Sequence, residues 1–186
     1  MKTSLFYLVL LLSASPLFGP EVGGSRMQQT KLDLNGKWAL DMSLLESAFD
    51  KNDLIYDSMT LVISHKEPEL RITRQMKKKK RETIQELIYY TDGRGEKNTN
   101  LTGGKPVRSK TNYEGSTIVS RWVEEFYESG DFYFCEVTDT WELSTDGQTL
   151  THSTLGCEKA HNIYGRTIGM GTYNDRHFKR VFKRII

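Results

Sequence analysis

The chain has 186 residues, with 26 Lys and Arg against 24 Asp and Glu, a formal charge of +2. That balance is too small to argue for a nucleic-acid partner, and the length fits one domain. Hydrophobic residues at 37%, aromatics at 11% and only four prolines suit a β-rich globule rather than a disordered chain.

The N-terminus reads as a targeting segment. Met1-Lys2 is a short positive start, Leu5 to Leu12 is a continuous apolar run, and small or turn-forming residues follow at Ser13, Ala14, Ser15, Pro16 and Gly19. This is the three-part layout of a secretory signal, and the run is too short to cross a bilayer. An uncleaved anchor is the alternative. Residues 1–25 are therefore assigned to a signal peptide and flexible leader, and 26–186 to a single domain. A secreted or periplasmic location is expected, with no stable membrane span once the signal is removed.

The first strand falls within Leu32 to Met42, where Leu34, Trp38, Leu40 and Met42 recur at even spacing. Leu44, Leu45, Ala48 and Phe49 suggest a short helical turn. Ser58 to His65 alternates with Met59, Leu61 and Ile63 on one face. Glu67-Pro68 turns the chain into Glu69 to Met76, where Leu70, Ile72 and Met76 share a face with Arg74. Two readings of Arg74 stand. It is a buried cation needing an anionic partner, or the strand end twists and carries it to solvent.

Lys77-Lys78-Lys79-Lys80-Arg81 is the densest charge run. A nuclear signal does not fit behind a secretory leader. The run is read as a solvated hairpin tip whose lysines discourage edge-to-edge pairing. Contact with an acidic polysaccharide or an anionic lipid is the functional alternative. Glu82 to Tyr90 is the next strand, ended by Thr91 to Gly95. Asn98 to Gly104 is loop-like and carries a glycosylation sequon at Asn100-Leu101-Thr102. Val107 to Tyr113 and Ser116 to Glu128 are further strands, the second with Ile118, Trp122 and Phe126 facing one way.

Asp131 to Cys157 organises the chain. Two β-rich runs meet at Asp146-Gly147, a strong hairpin signal, and the two cysteines, Cys135 and Cys157, sit one on each arm. A three-residue loop, Thr145-Asp146-Gly147, sets Ser144 opposite Gln148 and Cys135 opposite Cys157. A two-residue loop instead sets Leu143 opposite Leu150 and Trp141 opposite His152, and offsets the cysteines by one. A β-bulge in the first arm would reconcile the two. A Cys135–Cys157 disulfide is expected, with buried free thiols as the alternative. After Cys157 the run from Glu158 to Asp175 is loop-rich. Arg176 to Ile185 then closes the chain, with Phe178, Arg180, Phe182 and Arg184 on one face.

Eight to ten short strands joined by tight turns make an antiparallel meander, and closing it into an up-and-down barrel removes its exposed edges. A sandwich is the alternative. Asn35-Gly36-Lys37-Trp38 on the first strand, the succession of hairpins, and a late strand bearing Arg180 and Arg184 resemble the lipocalin-like (calycin) group of secreted β-barrels. Asp139-Thr140-Trp141-Glu142-Leu143-Ser144-Thr145-Asp146-Gly147 is similar to a segment of the bacterial lipocalin-like type. The resemblance implies that Trp38 plugs the barrel floor, that Arg180 or Arg184 packs across it, and that Gly36 lets the strand bend there.

No enzyme motif emerges: no Gly-rich phosphate loop, no G-x-S-x-G elbow, no paired histidines at metal spacing. His65, His152, His161 and His177 are scattered. Glu124 and Asp139 would form an internal carboxylate pair, or pair with Arg74, if both faced the lumen. The reading is a binding barrel for a small hydrophobic ligand, with no cofactor, no metal and no catalysis expected. Candidate lining residues are Leu61, Ile72, Ile88, Trp122, Phe126 and Trp141, with Arg74 as a polar anchor. A filled core is the alternative for all of them. The rival classes are a surface module using the basic run and, third, a barrel enzyme using the carboxylate pair.

Overall fold

The computed structural model describes residues 32–44, 56–99, 106–157, 159–169 and 178–185. The signal-like N-terminus, the helical turn expected around Leu45 to Phe49, the Asn100 sequon and His177 lie outside these residues.

Twelve strands follow one another among the described residues: β1 (Gly36–Leu40), β2 (Ser58–Lys66), β3 (Glu69–Lys78), β4 (Arg81–Tyr90), β5 (Glu96–Thr99), β6 (Pro106–Glu114), β7 (Thr117–Glu128), β8 (Asp131–Leu143), β9 (Thr149–Leu155), β10 (Lys159–Asn162), β11 (Thr167–Gly169) and β12 (Phe178–Ile185). A 3-10 turn, Met42–Leu44, follows β1. Alternation in the sequence becomes alternation in burial. On β3, Leu70, Ile72, Arg74 and Met76 point inward while Arg71 and Lys77 face solvent. On β8 the inward set is Tyr133, Cys135, Val137, Asp139 and Trp141.

The strands are ordered β4-β3-β2-β1-β12-β9-β8-β7-β6-β5, a nearly closed antiparallel barrel, with β10 and β11 off this path. The last strand meets the first, setting Trp38 opposite Arg184. The seam lies between β4 and β5, where side chains replace the ladder. Asn98 accepts from the Ile88 N–H and donates to the Ile88 carbonyl, both at 2.8 Å. The Tyr90 N–H donates to Glu96 at 3.3 Å, and the Gln85 amide donates to the Thr99 carbonyl. Pairing these edge groups removes much of the hazard of two open strands.

The floor has the arrangement implied by the resemblance, with Arg184 as its arginine. Trp38 is fully buried and its indole N–H donates to the Leu34 carbonyl at 3.0 Å. The Arg184 guanidinium lies over the Trp38 ring, 4.3 Å from its centre. It also donates to the carbonyls of Asn35 (2.7 Å) and Gly147 (2.9 Å), tying β1 to the β8–β9 turn. Gly36 has φ +130°, and a Cβ there would stand 3.0 Å from Arg184 Nη1. Glycine is therefore required both for the backbone conformation and for the close approach of the arginine.

Three expectations are corrected. The β8–β9 turn is a four-residue loop: the Ser144 N–H donates to the Thr149 carbonyl at 2.9 Å, and Gly147 takes φ +69°. Its register sets Leu143 opposite Leu150 and Trp141 opposite His152. Cys135 and Cys157 nevertheless form a disulfide, with Cα atoms 5.5 Å apart. No bulge interrupts the pairing of Thr138 to Leu143 with β9. The second arm instead leaves the ladder after Leu155, which frees Cys157 to reach back. Beyond that point β10 takes over as partner of β8, setting His161 opposite Phe134 and Asn162 opposite Tyr133. The second correction is this β10–β11 hairpin, which lies in the stretch read as loop-rich. Third, Glu96–Thr99, read in part as loop, is a strand.

The core is divided. The larger cluster is centred on Trp38, Leu61, Leu70, Ile72, Met76, Ile118, Trp141, Leu150 and Phe182. The smaller comprises Tyr133, Cys135, Val137 and Ala160, with Trp122, Phe126, Cys157 and Ile168 packed against it.

Candidate functional site

A cavity of about 350 Å³ borders both clusters. Its apolar wall is Leu87, Val107, Trp122, Val137 and Phe178, and its polar wall includes Arg74, Gln85, Tyr89, Ser120, Glu124, Asp139, His152, Thr154 and Arg180. A filled barrel would leave no such space; this barrel is only partly filled.

Arg74 is the most unusual of these residues. It is 5% exposed. Its register neighbours are Leu61 on β2 and Gln85 on β4, so neither flanking strand offers it a carboxylate. Its Nε has no hydrogen-bond partner, and among the described residues no acid lies within salt-bridge distance of it. Burial pushes the guanidinium's pKa down, opposed by Tyr89, Asp139 and Tyr56. The reading in which the strand end carries Arg74 to solvent is therefore overturned: the whole of β3 up to Met76 keeps its inward face. Burial likewise drives the Tyr89 phenol up, with the Asp139 charge adding to the effect, so that Tyr89 remains a neutral donor.

Asp139, His152 and Thr154 form a second polar group. The Thr154 hydroxyl donates to Asp139 Oδ1, and Asp139 Oδ2 lies 3.2 Å from His152 Nε2. The imidazole is stacked on Trp141 with ring centres 3.9 Å apart and planes 13° from parallel. Phe178 meets its edge at 5.6 Å, and the Arg180 guanidinium sits 4.0 Å above the Phe178 ring. Burial pushes the His152 pKa down despite the neighbouring Asp139. For Asp139 burial acts upward, but His152, Thr154 and Arg74 outweigh it and leave the pKa lowered. At neutral pH the site thus holds an aspartate beside a neutral imidazole.

Both carboxylates of the expected acid pair line the cavity, yet they are not paired with one another. Asp139 faces Ser120 across the β7–β8 ladder, whereas Glu124 faces Cys135. Four residues of strand separate them, about 13 Å of rise. Asp139 is engaged by Thr154 and His152, and Glu124 accepts from the Trp122 indole at 3.3 Å. A raised pKa from a shared proton requires much closer carboxylates.

Of the candidate lining residues, Arg74 and Trp122 border the cavity. Leu61, Ile72 and Trp141 are fully buried in the larger cluster, and Phe126 packs in the smaller one, stacked on Tyr133. Ile88 is misplaced. β3 pairs Ile72 with Leu87 and Arg71 with Ile88, which turns Leu87 and Tyr89 inward and Ile88 outward. Ile84, Leu87, Ile88 and Tyr89 put apolar residues on both faces of β4, so alternation alone could not choose. Arg180, expected near the floor, borders the cavity instead. His152, Thr154, Gln85, Ser120 and Tyr89 line the cavity in addition to the residues expected from the sequence. The signal for His152 was present: the register placing Trp141 opposite His152 sets the imidazole on the lumen face.

No protein-family model and no curated protein matches the chain. Among solved structures the chain is similar to a REP1-NXSQ fatty acid transporter, at 13% identity and TM-score 0.48 over 83% of this chain and 97% of that one. A tyrosine-to-phenylalanine mutant of that transporter matches similarly, at 13% identity and TM-score 0.48 over 82% and 98%. A zebrafish ileal bile acid-binding protein complexed with cholic acid matches at 17% identity and TM-score 0.46, over 81% of this chain and 98% of that chain.

Proposed function

We propose that this barrel binds one small amphipathic molecule with an anionic head inside its cavity. The observation that carries the reading is Arg74, a buried cation with no ion-pair partner among the described residues, on the wall of a half-open cavity of about 350 Å³. A cation held there costs free energy unless something neutralises it, and a bound carboxylate or similar anion does so. The apolar wall of Leu87, Trp122, Val137 and Phe178 receives the rest of the ligand. The volume lies at the small end of the usual range for ligand pockets, about 300–1,000 Å³, which favours a short amphipath over a long chain. The role is binding and release, without turnover.

Export is part of the same reading. A disulfide joins Cys135 and Cys157, and such bonds persist in oxidising compartments. Together with the signal-like N-terminus this supports a secreted or periplasmic home. Recovery of the host's own protein with a shortened N-terminus and no alkylatable thiol is the expected result.

The binding reading is tested by displacing a hydrophobic fluorophore from the protein with matched pairs of ligands. A medium-chain carboxylic acid should displace it about tenfold or more better than the alcohol of equal length, the difference expected of a charge-assisted hydrogen bond. Equal displacement by acid and alcohol, or no saturable binding of the fluorophore, overturns it.

A further inference from the structure

The barrel's two ends differ in chemistry. At the floor end the side chains are tied inward: Tyr113 donates to Glu67, Thr91 donates to Glu67 at 2.6 Å, and Arg184 spans β1 and the β8–β9 turn. The opposite end carries the β3–β4, β7–β8 and β10–β11 tips, because the strands alternate in direction around the sheet. Two of these tips present large apolar side chains to solvent. Tyr127 and Phe132, facing each other across the β7–β8 tip, are 63% and 53% exposed, and Ile163 and Tyr164 at the β10–β11 tip are 75% and 76% exposed.

These two tips are held together. Asn162 donates to Asp131 at 3.1 Å, Arg166 lies 3.5 Å from the same carboxylate, and Tyr127 meets Phe132 edge-on at 5.1 Å. Four exposed apolar groups are thereby gathered on two linked tips at one end of the barrel. The β3–β4 tip, on the other side of the same end, bears Lys77, Lys78, Lys79, Lys80 and Arg81, all exposed, against Asp57 and Glu82. The apolar tips carry Glu125, Glu128 and Asp131 against Lys159 and Arg166, so the attraction for anions resides in the lysine tip.

We infer that this end of the barrel docks on an anionic lipid surface, with the aromatic tips entering the headgroup region and the lysine tip resting on acidic headgroups. A lipid surface offers both complements at once, an apolar phase for Tyr127, Phe132, Ile163 and Tyr164 and negative charge for the basic run. A sulfated polysaccharide offers only the charge. The inference does not need an occupied cavity, although Gln85 and Glu124 on the cavity wall lie only four residues from Arg81 and Glu128 at these tips.

The test is vesicle flotation of the full chain without added ligand, comparing phosphatidylcholine vesicles with vesicles containing phosphatidylglycerol. All variants keep the same N-terminus, so any contribution of its apolar run cancels. The wild type should favour the phosphatidylglycerol vesicles, and added salt should weaken that preference. Combined Tyr127→Ser, Phe132→Ser, Ile163→Ser and Tyr164→Ser should lower partition about tenfold or more. Changing Lys77 to Lys80 into glutamine should remove the preference for phosphatidylglycerol. Fluorophore binding in solution should survive both sets, which shows that the barrel is intact. Unchanged partition of the serine variant overturns the inference, as does retention on a sulfated resin with no vesicle preference. Failure of the cavity reading would appear separately, as loss of fluorophore binding by the wild type.

Discussion

Replacing Arg74 by methionine should make the empty protein more stable and the liganded one weaker. The two side chains are similar in length, and the neighbours Leu61 and Ile72 are fully buried, so an unbranched apolar chain fits the same path. What is removed is a buried guanidinium whose Nε has no partner. Releasing an unsatisfied buried polar group is worth about 1–3 kcal/mol. The loss on the other side is the weak attraction of Asp139, which is outside salt-bridge range and already engaged by Thr154 and His152. The net expectation for the empty barrel is a gain of about 1–2 kcal/mol, read as a rise in the urea midpoint. Binding of a medium-chain carboxylate should meanwhile weaken about 10- to 150-fold, the equivalent of one charge-assisted hydrogen bond of about 1.5–3 kcal/mol. Alcohol binding should change little. A lower urea midpoint combined with unaltered carboxylate affinity would refute the reasoning, since it would make Arg74 a structural residue held by contacts other than those described.

Acid should weaken the fold partly through His152. A histidine whose folded pKa is depressed takes up a proton more readily when unfolded, so its contribution diminishes as pH falls below the ordinary value of 6.5. At pH 5 this amounts to at most about 2 kcal/mol, and His152→Gln should flatten that part of the urea-midpoint profile between pH 7 and 5; an unchanged slope contradicts the assignment. Asp139, also depressed, acts in a different window, its contribution being lost only below about pH 3.8. Cys135→Ser with Cys157→Ser opens a loop of 22 residues and should cost about 3 kcal/mol, with reductant producing the same midpoint in the wild type. Gly36→Ala should cost about 1–3 kcal/mol, because alanine is strained at φ +130° and its Cβ crowds Arg184; a thermal melt unaltered by the substitution would show that the floor does not depend on this glycine.

The meander, its strand periods and the organising hairpin are local properties, and the sequence carried them: alternation on β2, β3 and β7 predicted the inward residues because a pleated strand sends every second side chain the same way. The pairing of Trp38 with an arginine of the last strand was legible too, as a choice between Arg180 and Arg184. Only closure could make the choice. β12 meets β1 with Arg184 opposite Trp38, which leaves Arg180 two turns of the pleat away, over Phe178. β4 carries apolar residues on both faces, so Ile88 and Leu87 were indistinguishable until β3 fixed the register. The four-residue turn and the departure of the chain after Leu155 together decided how the cysteines met, and neither is a matter of propensity. The cavity itself is the least local feature of all. It is the volume left when side chains from many strands, β3 to β9 and β12, fail to fill the barrel, and a linear pattern of apolar and polar residues contains no measure of that remainder.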